Sequence, residues 1–292
     1  MVRALLAGAA LVLALGVPPT AFAAHLPPVV IEYGLGADGA MSEAWADAIR
    51  PRHAAGAAAA QARLRRPLSA AEQAWAGLIA AQAGAWRARL PALDQPFPGV
   101  APPRRVTILL GNQGGNDGFT AGDSTICLDL ADWVKAYGDP SAADSAGRVQ
   151  RILSHEYTHL MARRRLLLHP YHADTPLRRA WWDLFNEGLG NYYSLSGKWL
   201  PAGGVPSPAA REALQRLVPV LKQRLQALAV ATPEQEGARL EGLSAGPFAR
   251  KWGALPIALW LAQDMAHDPQ ALAGFVQAGP EGVPAFIARH GK

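Results

Sequence analysis

Two histidines that lie four residues apart, His155 and His159, flank the segment His155-Glu156-Tyr157-Thr158-His159. In an α-helix, side chains four residues apart project from one face, so both imidazoles can bind the same metal ion. Glu156 is rotated by about 100° from His155 on such a helix. It can therefore reach a metal-bound water without binding the metal itself. The spacing predicts a zinc site in which Glu156 is the general base.

A catalytic zinc ion usually has three protein ligands and keeps its fourth position for water, so a third ligand must lie elsewhere in the chain. Glu187 falls on a second predicted helix, opposite an aromatic stripe. Gly188 and Gly190 lower the helix propensity of that segment but permit another helix to approach closely. Glu187 is thus either the third ligand or a surface acid. His169 and His172, between the two helices, are the alternative ligands.

Two sequence motifs together indicate a family. The segment 154–159 (Ser-His-Glu-Tyr-Thr-His) and the segment 186–194 (Asn-Glu-Gly-Leu-Gly-Asn-Tyr-Tyr-Ser) resemble the corresponding motifs of the gluzincin metallopeptidases. The resemblance is specific over about 148–194 and looser in the strands before and the helices after. The metzincin pattern does not fit, because it needs a glycine and a histidine where this chain has Ala162 and Arg165.

The resemblance implies a ligand set and a mode of substrate binding. His155, His159 and Glu187 would be the zinc ligands, with Glu156 as the general base. It also implies an edge strand along which an extended peptide docks through backbone hydrogen bonds. Ser124–Leu130 is the strand that we expect in this role. The expected fold class is α+β, with a small mixed sheet whose edge strand packs on the active-site helix, followed by a mainly helical C-terminal part.

The chain departs from this family at two points. Residues 160–186 separate His159 from Glu187, 27 in number, which is more than the family's well-known members have, so an inserted loop near the site is expected. Gluzincins also use a tyrosine or histidine to stabilise the oxyanion, and this chain has no tyrosine after Tyr193. Some gluzincins have this tyrosine between the second histidine and the ligand glutamate, so the resemblance makes Tyr171, with its neighbour His172, the candidate oxyanion stabiliser. A plain loop role is the alternative for both.

Two polar residues lie one helical turn on either side of Glu187. Asp183 precedes it by four residues and Asn191 follows it by four. Residues at this spacing share a helix face, so either could orient a ligand histidine by a hydrogen bond. A role on the helix surface is the alternative for both.

The N-terminus predicts export. Residues 1–23 carry a single basic residue, Arg3, then an apolar run, and end in Ala21-Phe-Ala23, a pattern typical of a signal peptide. The apolar run is shorter than the ~18–20 residues that span a bilayer. No later segment is long and apolar enough to span one either. We therefore expect a periplasmic or extracellular protein whose mature chain has no stable membrane insertion. Its lone cysteine, Cys127, excludes an internal disulfide.

The charge balance gives little support for nucleic acid as a partner. The chain has 28 Lys and Arg against 23 Asp and Glu, a net charge of +5, and its basic residues are scattered rather than arranged in a stripe. The expected function is therefore an exported zinc-dependent peptidase that acts on peptides or proteins. The alternative is a non-catalytic, zinc-containing exported protein that binds peptides or acts like a chaperone.

The predicted organisation has a signal peptide (1–23), an N-terminal, mostly helical region with one short strand (24–103) and a zinc metallopeptidase catalytic domain (104–292). Ser69 and Glu72 form a predicted capping box, and the glycine-rich stretch 111–118 is predicted to be a turn or mobile loop. Strands are predicted at Val29–Tyr33, Arg105–Leu110 and Ser124–Leu130, and helices at Met41–Ile49, His53–Leu64, Ser69–Trp86, Ser145–Arg164, Leu177–Leu195, after Ser207-Pro208, and twice between Phe248 and Arg289.

Overall fold

A computed structural model describes residues 26–53 and 66–291. The predicted signal peptide and nearly all of the predicted helix His53–Leu64 lie outside these residues. The helices are α1 (Glu43–Ile49), α2 (Ala70–Arg87), α3 (Leu90–Asp94), α4 (Leu130–Tyr137), α5 (Ser145–Leu168), α6 (Pro176–Ser194), α7 (Pro208–Ala229), α8 (Pro233–Leu240), α9 (Ala254–Met265) and α10 (Ala271–His290), with 3-10 turns at Arg50–Arg52 and Phe248–Arg250.

The N-terminal part of the described chain contains one four-stranded sheet. Its strands are β1 (Val29–Tyr33), β2 (Val106–Gly111), β3 (Gly118–Ala121) and β4 (Thr125–Asp129), in the spatial order β1-β2-β4-β3. β1, β2 and β4 are parallel, and β3 pairs with β4 antiparallel. The sheet is therefore mixed, and the helices that follow it make the C-terminal part mainly helical, which confirms the expected fold class.

The edge strand beside α5 is β3, so the prediction of Ser124–Leu130 as the edge strand was wrong. β4, which occupies that segment, lies between β2 and β3. Ile126, Cys127 and Leu128 are fully buried, as in a central strand with both faces covered. β3 has only four residues and follows several glycines, so its sequence resembles a turn. This strand was not predicted, whereas residues 112–117 before it are irregular, as predicted.

Helix α2 holds α5 in place through a buried tryptophan. The predicted capping box starts α2, because the hydroxyl of Ser69 accepts from the backbone N–H of Glu72 and the carboxylate of Glu72 accepts from the N–H of Ser69. At the other end, Trp86 Nε1 donates to Ser154 Oγ at 3.3 Å. Ser154 directly precedes His155, so this contact fixes the helix where the motif begins.

Elements on both sides of residue 103 pack together. β1 pairs with β2 from Val29 opposite Val106 onward. The same apolar core contains Trp75 from the earlier region and Ile108 and Leu153 from the later one. The predicted catalytic region thus shares its sheet and its core with the segment before it.

The helices after the sheet follow the predicted pattern with shifted ends. α6 and α7 begin close to their predicted starts, and Ser207 caps α7 through its hydroxyl. The two helices predicted between Phe248 and Arg289 are α9 and α10, which are separated at His267-Asp268-Pro269. α5 extends to Leu168, four residues beyond its predicted end. No helix in residues 26–53 or 66–291 is long and apolar enough to cross a membrane.

Helix α6 lies between α5 and α9, with which it makes its most extensive helix contacts. A Cβ atom on Gly188 would lie 2.4 Å from Cγ2 of Ile257 on α9, which is closer than two non-bonded carbon atoms can approach. Glycine at this position therefore sets the distance between α6 and α9.

We expect Gly188→Ala to lower the free energy of unfolding by about 1–3 kcal/mol, because the added methyl group overpacks this contact. Gly84→Ala is the matched control, since Gly84 is inside α2 and a Cβ there would contact nothing within 4 Å. It should raise the free energy of unfolding by about 0.5–1 kcal/mol through helix propensity alone. Urea denaturation measures both. Equal effects of the two substitutions would contradict the packing argument.

Candidate metal centre

Three side-chain groups from two helices meet at one point. On α5, Nε2 of His155 lies 2.9 Å from Nε2 of His159. From α6, Glu187 places Oε1 3.4 Å from Nε2 of His159 and Oε2 3.7 Å from Nε2 of His155. Ligands about 2.0–2.1 Å from a tetrahedral zinc ion lie about 3.3 Å from each other. The three groups are therefore spaced to hold one metal ion.

The approach of α6 to His155 depends on a second glycine. A Cβ on Gly190 would lie 2.8–2.9 Å from three atoms of the His155 ring. Because there is no side chain at this position, the imidazole packs directly on the backbone of α6. Gly188 and Gly190 thus both allow close approach, as their sequence context indicated, but they face different helices.

Ser194 holds the far side of the His155 ring and was missed in the sequence. Its Oγ lies 3.0 Å from Nδ1 of His155. A hydrogen bond at Nδ1 fixes the ring and leaves Nε2 directed at the other ligands. A signal existed, because Ser194 follows Glu187 by seven residues and therefore lies on the same face of α6.

Asn191 contacts Glu187 rather than a histidine. It is fully buried, and its side-chain N–H donates to the backbone carbonyl of Glu187 at 2.7 Å. Its Oδ1 accepts from Nζ of Lys251 at 3.3 Å. Asn191 therefore links the backbone beside Glu187 to a lysine from the segment before α9. Nothing in the local sequence indicated this partner, which is 60 residues away.

Tyr171 and His172 are not brought to the site. The hydroxyl of Tyr171 donates to the backbone carbonyl of Arg178 at 2.8 Å, and neither residue lines the cleft. The extra length of α5 is the reason, since the nine residues from His159 to its end at Leu168 carry the chain about 13 Å along the helix axis. The rival ligands His169 and His172 are both exposed, beyond that end.

Burial sets the charge state of the two histidines. It lowers the pKa of His155 well below its ordinary value, and the charges of His159 and Lys251 act in the same direction. Burial also lowers the pKa of His159, against the opposing effect of Glu187. Both imidazoles are therefore neutral at physiological pH, which is the form that binds metal ions.

Glu156 is buried beside the edge strand. A Cβ on Gly118 of β3 would lie 2.7 Å from Oε1 of Glu156, so the carboxyl group packs against the strand backbone. Burial raises the pKa of Glu156 well above its ordinary value, and the nearby carboxylates of Glu187 and Asp117 add to this. Its Oε2 is buried and has no hydrogen-bond partner among the described residues.

Two carboxylates lie close enough to the histidines to be ligands. Ligand atoms of His155, Glu156 and His159 all lie within 4.8 Å of one another. However, Glu187 directs one oxygen to each histidine Nε2, whereas Glu156 packs towards Gly118. Glu187 is therefore the better third ligand, and Glu156 is left free for a reaction on a bound water.

These groups lie in a cleft of about 1260 Å³ between the sheet edge and the segments 196–199 and 244–251. Gly118, Phe119 and Thr120 of β3 line one side. Trp199, Phe248 and Lys251 are among the residues that line the cleft from the C-terminal part. The cleft therefore runs along the free edge of β3 and passes over the two histidines.

Comparison of the chain with models of protein families, with curated proteins and with solved structures finds no match. The resemblance to gluzincins therefore remains a prediction from two short motifs. The geometry is an independent observation: it brings His155, His159, Glu187 and Glu156 together, and it leaves Tyr171 outside the site.

We expect Ser194→Ala to weaken the binding of added Zn²⁺ by about 10–100-fold, because His155 loses the hydrogen bond that orients its ring. Ser196→Ala is the matched control, since Ser196 also lines the cleft. Competition with a chromogenic chelator measures the affinity. An unchanged affinity in Ser194→Ala would contradict the orienting role.

Asp183 gives the site a pH-dependent stability. Burial raises the pKa of Asp183 to about 7, and repulsion from Glu187 and Glu236 adds to this. An aspartate in an unfolded chain has a pKa of about 3.9. The folded protein binds this proton more tightly than the unfolded chain does. The contribution of Asp183 is therefore complete below about pH 4 and is lost as the pH rises through about 7.

In metal-free protein, Asp183→Asn should accordingly gain stability relative to the wild type between about pH 4 and 7, with no further gain above about pH 7. The free energy of unfolding in urea at a series of pH values measures this difference. A difference that stays constant over the whole range would contradict the assignment.

Proposed function

We propose that this protein is an exported zinc-dependent peptidase that hydrolyses peptide bonds. The observation that carries the proposal is the meeting of three ligand groups, from His155, His159 and Glu187, beside a buried general base with one unpartnered oxygen. A protein that only bound zinc would not need Glu156 at this position. The predicted signal peptide supports the export.

The donor set fits zinc. Two neutral imidazoles and one carboxylate, with a fourth position open to a cleft, are ligands typical of a catalytic zinc site. The unpartnered Oε2 of Glu156 also fits, because a buried carboxylate oxygen without a partner is costly. A water molecule held in the fourth position would give this oxygen a hydrogen bond.

The edge of β3 is the surface that we propose for the substrate. β3 pairs with β4 on one side only, and its residues 118–120 line the cleft. An extended peptide can add to this edge through backbone hydrogen bonds, which gives affinity largely independent of its sequence. β3 thus replaces Ser124–Leu130 in the docking role, and the peptide bond would lie over Glu156.

In the proposed mechanism, a zinc ion at this site supplies two effects: it acidifies water and polarises the peptide carbonyl. Glu156 accepts a proton from the attacking water as the new C–O bond forms and the electron pair of the carbonyl moves onto its oxygen. Glu156 then passes this proton to the amide nitrogen as the C–N bond breaks.

The decisive experiment combines zinc analysis with digestion of a peptide library. The wild-type protein should contain one zinc per chain and cleave peptides. Glu156→Gln should retain the zinc and lose activity by at least about 100-fold, since general-base catalysis contributes about 10²–10⁴-fold. Glu212→Gln is the control, because it makes the same chemical change at an exposed residue of α7.

Two outcomes would contradict the proposal. Full activity in Glu156→Gln would exclude Glu156 as the general base. One bound zinc per chain without cleavage of any peptide would instead support the non-catalytic, peptide-binding alternative.

A further inference from the structure

Lys251 lies on the wall of the cleft and is tied to the backbone of the third ligand. It directly follows the 3-10 turn Phe248–Arg250 and lines the cleft. Its Nζ donates to Oδ1 of Asn191 at 3.3 Å, and the amide of Asn191 donates to the backbone carbonyl of Glu187 at 2.7 Å. One buried side chain therefore sets the position of the ammonium group relative to the ligands.

The positive charge of Lys251 acts on the reacting groups themselves. It favours the neutral form of His155 and of His159, and it favours the charged form of Glu156. Lys251 lines the same cleft as His155, Glu156 and His159. An ammonium group has three N–H donors, and Asn191 is its one hydrogen-bond acceptor among the residues that the structure describes. The ammonium group also lies 5.6 Å from the ring centre of Phe248, which leaves N–H donors that a substrate oxygen in the cleft could accept from.

Three other donors in or near the cleft are committed elsewhere or buried. The hydroxyl of Tyr137 donates to the carboxylate of Asp117. Nε and Nη2 of Arg163 are buried without a hydrogen-bond partner among the described residues. Tyr171 donates to a backbone carbonyl outside the cleft. Lys251, by contrast, lines the cleft and is held beside Glu187 through Asn191.

We propose that Lys251 is a catalytic residue that donates a hydrogen bond to the peptide carbonyl oxygen as this oxygen becomes an oxyanion, and that Asn191 positions it. This inference rests on the proposed peptidase function. A fixed positive donor aimed at developing charge stabilises the transition state more than the ground state, because the charge is present only in the transition state. Lys251 would then take the role that the sequence assigned to Tyr171 and His172.

The test compares Lys251→Met with Lys198→Met. Lys198 is the matched control, because it also lines the cleft and its ammonium group lies 5.0 Å from the ring centre of Trp199. Lys251→Met should lower kcat by about 10²–10³-fold, the usual effect of removing one oxyanion donor. KM should change by less than about 3-fold, and zinc content should not change. Lys251→Arg, which keeps a cationic donor, should recover part of the lost kcat.

A binding measurement separates catalysis from substrate anchoring. In the Glu156→Gln background, calorimetry gives the affinity for a cleaved peptide and for its phosphinic analogue, in which an anionic tetrahedral group replaces the scissile amide. Adding Lys251→Met should weaken binding of the analogue by about 100-fold or more and binding of the peptide by less than about 3-fold, since the analogue carries the oxyanion.

The outcomes distinguish this inference from the proposed function. Hydrolysis that depends on Glu156, together with unchanged kcat and analogue affinity in Lys251→Met, would overturn the role of Lys251 alone. Equal losses of peptide and analogue affinity would make Lys251 a substrate anchor and would also overturn it. A wild-type protein that neither binds zinc nor cleaves peptides would overturn both proposals.

Discussion

The candidate site depends on how closely α6 can approach its neighbours. Gly190 lets the ring of His155 rest on the backbone of α6, and Gly188 lets Ile257 of α9 do the same from another direction. Each glycine costs about 1 kcal/mol of helix propensity relative to alanine. The close approach that they allow places the carboxylate oxygens of Glu187 3.4–3.7 Å from the two histidine Nε2 atoms. Side chains at these two positions would push α6 away from its neighbours and separate Glu187 from the histidines.

The same close packing buries the two histidines and Glu156, and this burial shifts their pKa values. Burial keeps His155 and His159 neutral and makes Glu156 hard to ionise. In water these groups would behave as ordinary histidines and an ordinary acid. Polar atoms buried without partners destabilise a fold, and any ligand that bound only to the folded state would offset the cost.

The sequence predicted what depends on local spacing. His155 and His159 are four residues apart on one helix, and Ser69 and Glu72 form a capping box, because helical geometry fixes both relations within a few residues. The order of the strands could not be read in this way, since β3 becomes the edge only through its pairing with β4. Lys251 gave no local signal either. Its contact with Asn191 spans 60 residues and exists only once α6 and α9 have packed.

The residues that form the site are spread along the chain, and this determines when the site can form during synthesis. β1 pairs with β2, whose first residue lies 77 positions later (29 to 106), and α6 packs against α9, which follows it in the chain. A nascent chain emerges from its N-terminus and folds as its parts become available. A chain that has emerged as far as Glu187 holds every proposed zinc ligand but lacks Ile257 and the wall that carries Lys251. The cleft is therefore completed only after the segment before α9 has been synthesised, and a prematurely truncated chain would lack the wall over the proposed ligands.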